Sequence, residues 1–112
     1  MQSVNWRSMY HISDRVVEVQ LRDLGGRISP ASMDFIYSQV DLISACISTF
    51  YQRNAINESV EMATISTFTN NLEALQPLNI ILRQFNVEIL YASICQVAGE
   101  RDTVHLGLMP SL

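Results

Sequence analysis

The residues of this chain that could do chemistry are few and scattered. Its two histidines, His11 and His105, stand near opposite ends. Brought together they would offer two imidazole nitrogens to a metal, yet such a site needs further ligands and the sequence supplies none at ligand spacing. Cys46 and Cys95 likewise lack a second cysteine or histidine at that spacing. They read as buried free thiols, with a bond between helices or between subunits as the alternative. Asp34 with Asp41, and Glu58 with Glu61, are paired carboxylates of the kind that does acid–base work or holds cations. In an acidic chain they read instead as solvated faces. No serine occupies a nucleophile elbow, and Gly25-Gly26 is too short a glycine run to cradle a phosphate. The residues therefore point to no cofactor and no metal.

Glu88 is the most informative acid. It falls between apolar positions, with Ile81, Ala92 and Cys95 for company, so it sits at a groove edge or is paired inside. A buried carboxylate needs a partner, and the N-terminal segment, with Arg7, Arg15, Arg22 and Arg27, is the evident supply. Trp6, Arg7, Tyr10 and His11 form an aromatic-plus-cation cluster like those that stack nucleic-acid bases. The chain as a whole carries a net charge of −4, the wrong sign for affinity built on phosphates. Nucleic acid is accordingly the weakest of the partner readings. All seven cations are arginine; codon bias explains the missing lysine, and avoidance of lysine modification is the functional alternative. Asn57-Glu58-Ser59 matches a glycosylation sequon, which carries little meaning without a secretory signal.

The elements that must position these groups read as mainly helical. The 112 residues form a single helical domain, with an N-terminal arm at 1–12 and a C-terminal tail at 100–112. Nearly half the residues are apolar, which opposes disorder, and Arg83 with Glu88 interrupts the best candidate for a membrane span. The N-terminus lacks the layout of a signal peptide, so an intracellular, cytoplasmic location is expected. Residues 13–24 fit a helix or a strand. As a helix they have Ser13 or Asp14 as cap and Gly25-Gly26 as stop; as a strand, Val17, Val19 and Leu21 alternate with polar residues.

Three helices follow at about 30–53, 58–75 and 77–98. The first opens on Ser29-Pro30, a cap and a proline at the first helical position, and the second has Asn57 as its cap. In the third, a wheel at about 100° per residue divides the apolar residues onto two opposed sides, as though the helix needed two neighbours. Val104, Leu106 and Leu108 alternate and suggest a short C-terminal edge strand at 103–109, pairing with 17–21.

This small helical bundle has more apolar helix surface than three helices can hide. The expected function is that of a non-enzymatic interaction protein, an adaptor, assembly chaperone or structural component, acting as a homodimer or higher oligomer. Met33, Ile36, Val40, Ile43, Ile47 and Phe50 of the first helix, with Ile80, Val87, Tyr91 and Ile94 of the third, would form the contact surfaces. Its partner would be a copy of itself or another protein. The alternative is a ligand-binding protein or enzyme with an inter-helix pocket lined by Met33, Tyr37, Phe85 and Tyr91, with Glu88 as its polar group.

Overall fold

The computed structural model describes residues 5–12, 15–56, 65–69, 72–99 and 101–111. Its elements run β1 (Asn5–Ile12), β2 (Arg15–Asp23), α1 (Pro30–Ser38), α2 (Val40–Asn54), β3 (Ile65–Thr69), a 3-10 turn at Glu73–Leu75, α3 (Gln76–Arg83), β4 (Val87–Gln96) and β5 (Asp102–Pro110). The strands form one five-stranded sheet in the order β1-β2-β5-β4-β3. β2 and β5 run parallel, and the other neighbours are antiparallel. The fold is thus mixed α/β, and the expectation of a mainly helical small bundle is overturned.

The run from Pro77 onward shows why. Its helix stops at Arg83, and Asn86 turns the chain with a φ of 61°, a conformation that asparagine tolerates. Val87 to Gln96 is then a strand. Its buried residues on the helix-covered face are Val87 and Ile89, then Ala92, Ile94 and Gln96, because a bulge between Ile89 and Tyr91 shifts the alternation by one, and Ser93 is buried on the other face. A two-residue period with one step of three imitates helical spacing, and a strand joined to a helix gives two apolar sides on a wheel. The bulge is held from outside the sheet: the buried Asn79 side chain of α3 accepts from the Ile89 N–H at 2.9 Å.

Other boundaries change for related reasons. Residues 65–69 are a strand and 73–75 a 3-10 turn, so no helix spans 58–75. The cap Asn57 and the acids Glu58 and Glu61 lie outside the described residues. The helix expected at 30–53 is two, broken at Gln39 (φ −95°, ψ 37°), although its start is as expected, with Ser29 Oγ accepting from the Ser32 N–H at 3.2 Å. Residues 15–23 resolve as strand, and the expected caps Ser13 and Asp14 lie outside the described residues. The C-terminal strand does pair with 17–21, but it lies in the interior of the sheet rather than at its edge.

One apolar cluster joins the helices to one face of the sheet. Val17, Val19 and Leu21 of β2, Val104, Leu106 and Leu108 of β5 and the buried residues of β4 meet Ile36, Ile43, Ile47, Phe50, Leu78 and Leu82. Each such side chain contributes about 1.5–3 kcal/mol on full burial. The opposite face carries Glu18, Gln20, Arg22, Thr103 and His105, half-buried or exposed. There Tyr91 lies across Gly107, its cross-strand partner, so that a Cβ at Gly107 would overlap the ring.

Candidate functional site

The strongest concentration of polar chemistry lies where the parallel pair β2–β5 begins. Asp102 is only 1% exposed. Its carboxylate accepts from Arg15 Nη1 at 3.0 Å, from the buried Tyr51 hydroxyl, and from Gln96 Nε2 at 3.4 Å. Gln96 in turn binds both backbone groups of Ile56, accepting from its N–H at 2.7 Å and donating to its carbonyl at 3.1 Å. The cluster therefore ties the end of α2 and the chain beyond it to three sheet strands.

Geometry follows from local phase. Arg15 occupies the helix-facing phase of β2, Asp102 that of β5 and Gln96 that of β4. On the other face of the same strand pair, Arg101 Nε stands 3.8 Å from Glu18 Oε2. Arg15 of β2 and Arg101, the residue just before β5, thus each meet an acid of the neighbouring strand, one pair per face, in keeping with the parallel register.

This arrangement has little left for catalysis. Burial, and then the hydrogen bond to Asp102, push the Tyr51 phenol above its ordinary value of 10, so it remains a donor. The Arg15 guanidinium is held in its charged form chiefly by its bond to Asp102. A carboxylate saturated by three donors is neither base nor nucleophile for a substrate, and nearly buried Asp102 is not open to one. Asp23, also buried, spends both oxygens on the backbone N–H groups of Arg27 and Ile28, at 3.2 Å each, and so shapes the turn where Gly25 and Gly26 take positive φ. Among the described residues, no group of three or more His, Cys, Asp or Glu could hold a metal.

The open sheet face is the other candidate. The register sets Arg7, Gln20, His105 and Ser93 in one row across four strands, with Met9, Glu18, Thr103 and Cys95 in the next. Gln20 bridges Glu18 and Arg22, donating to the first at 3.2 Å and accepting from the second at 3.5 Å. Burial lowers the His105 pKa below 6.5, Arg22 adds to the effect, and Glu18 opposes it. Cys95 and His105 are diagonal neighbours in register, yet no hydrogen bond joins them among the described residues. At the rim of this face, β1 forms one edge of the sheet.

The residues singled out from sequence are distributed as follows. Met33, Ile36, Ile43, Ile47, Phe50, Val87 and Ile94 lie in the chain's own core. Val40 and Ile80 are exposed, at 44% and 56%, and Tyr91 is on the open face. Met33 and Tyr91 fall on opposite faces of the sheet, while Phe85 stacks on Phe35 with ring centroids 3.6 Å apart, so the expected pocket does not assemble. Glu88 is half-exposed, and its nearest cation is Arg83 at 3.9 Å rather than an N-terminal arginine. The buried acid paired with an N-terminal arginine exists, but it is Asp102 with Arg15. His11 lies on the β1 edge and His105 on interior β5, with β2 between them. Cys46 is buried and Cys95 half-buried, both as free thiols. Asp34 and Asp41 are exposed on the helical layer.

Arg15, Tyr51, Gln96, Asp102 and Asp23 were not expected as a group. A signal for them did exist. Asp23 is in phase with Val17, Val19 and Leu21, and Asp102 with Val104, Leu106 and Leu108. A carboxylate in the apolar phase of a strand requires partners.

No helix among the described residues is long and apolar enough to cross a membrane. Comparison with known protein families, curated proteins and solved structures gives no significant match.

Proposed function

We propose that this chain is a non-enzymatic protein-interaction module, an adaptor or assembly component that works through its uncovered sheet surface. The observation that carries this reading is a division of labour. The buried groups with chemical potential are consumed in holding strands and α2 together, whereas one sheet face and the whole of β1's outer edge remain uncovered by the described elements. Backbone groups along an unpaired edge and a half-polar sheet face suit recognition of another chain. The surplus helix surface inferred from sequence does not support the reading, because most of it lies in the core.

Affinity capture with the full chain, run in parallel with two exposed-site variants, tests the proposal. Met9→Arg charges the sheet rim and Ile80→Arg charges the helical layer. A stoichiometric complex lost with the first and kept with the second supports the sheet surface; identical recovery with all three chains contradicts it.

A further inference from the structure

The geometry points to a second copy of this chain as the occupant of the β1 edge, an inference that rests on the interaction reading above. β1 pairs with β2 along its full length, Asn5 to Ile12, without a bulge. Natural edge strands are guarded by proline, bulges, lysine or short length. β1 has no proline and no lysine, its ladder is regular, and it runs for eight residues, against five in β3 at the other edge. It carries one arginine and no acid. Such an edge invites another strand.

Charge placement selects the register. In an antiparallel pair, directly opposed residues share a face, so a two-fold axis perpendicular to the sheet must pass through a single residue and its copy. Ser8 and Met9 are the central choices. With the axis at Ser8, Arg7 lies opposite Met9 of the second copy, and the two Arg7 are offset by two residues, about 7 Å. With about 4.8 Å between the strands, the separation of the two Arg7 is about 8 Å, roughly one Debye length at physiological ionic strength. With the axis at Met9, Arg7 lies opposite His11 of the second copy, and the offset between the two Arg7 is four residues, about 14 Å. Repulsion between them is then largely screened. The same axis sets Met9, 47% exposed in the single chain, against its own copy. Charge separation and apolar burial therefore favour the same register, and one sheet runs through both chains with the helical layers on one side.

The test uses the full chain. In sedimentation velocity at tens of micromolar, the wild type should run at twice 12.7 kDa, and Met9→Arg should run as a monomer with an unchanged circular dichroism spectrum. In a Cys95→Ser background, Met9→Cys should cross-link on mild oxidation, because opposed Cα atoms fall within the reach of a disulfide, while Ser8→Cys should not. A monomeric wild type, a dimer indifferent to Met9→Arg, or cross-linking through Ser8→Cys instead overturns the inference. A monomeric wild type that captures a different chain, and loses it with Met9→Arg, removes the second copy while leaving the interaction reading in place.

Discussion

Replacing Asp102 by asparagine keeps the shape of the side chain and removes its charge. The new amide also turns two hydrogens toward a site already crowded with donors: Arg15, Tyr51 and Gln96. The losses differ by partner. The Tyr51 hydroxyl is buried, and a hydrogen bond to a charged acceptor is worth about 1.5–3 kcal/mol. The Arg15 side chain is 36% exposed and can turn to water, so its share falls in the range of a surface pair, about 0–1 kcal/mol. Gln96 keeps both bonds to Ile56. The expected destabilisation is therefore about 1.5–4 kcal/mol. Urea unfolding at pH 7 measures it directly, and the melting temperature should fall by roughly 10 °C for the middle of that range. Tyr51→Phe should cost about 1.5–3 kcal/mol in the wild type and under about 1 kcal/mol beside Asp102→Asn, a coupling of at least about 0.5 kcal/mol. Additive effects, or an Asp102→Asn variant within about 0.5 kcal/mol of wild type, would refute the view that this carboxylate organises the sheet end.

Further outcomes follow from single sites. Gly107→Ala drives a methyl into the Tyr91 ring and should cost about 1–3 kcal/mol in chemical denaturation, with much of the loss recovered in a Tyr91→Ala background. Tyr10 has a buried hydroxyl oxygen without a hydrogen-bond partner among the described residues, so Tyr10→Phe should leave stability unchanged or raise it by about 1 kcal/mol, opposite in sign to Tyr51→Phe. His105 resists protonation when folded, chiefly because it is buried, so its contribution is complete above pH 6.5 and is lost as pH falls from 6.5 through the lowered folded value. Urea midpoints at pH 7.5 and 5.5 should accordingly fall further apart in the wild type than in His105→Gln.

The parts of the fold legible from residues were those encoded locally. Ser29-Pro30 announces a helix start, Gly25-Gly26 a turn, and the alternation from Val104 to Leu108 a strand, because each signal spans only a few neighbours. β4 was misread because its bulge changes the phase of the alternation halfway along, and α3 runs into it across a three-residue gap that no proline or glycine marks. Arg15 and Asp102 meet across a separation of 87 residues. Sequence can say that a carboxylate in an apolar phase wants a cation, but topology decides which acid receives it. The same reasoning, applied to Glu88, named the right kind of partner for the wrong residue. Glu88 could be read as inward only while 77–98 was a helix; on β4 it falls in the phase opposite Val87 and Ile89.

Amide hydrogen exchange along β1, followed across protein concentration, tests the central claim most directly. At nanomolar concentration, residues 5–12 should exchange at the outward-facing half of their N–H groups and hold the half bonded to β2. At tens of micromolar the outward half should become protected as the edge is paired, while β4 and β5, already interior to the sheet, should not change. Exchange in β1 that is identical at both concentrations, with or without other chains present, would contradict an interaction module built on this edge.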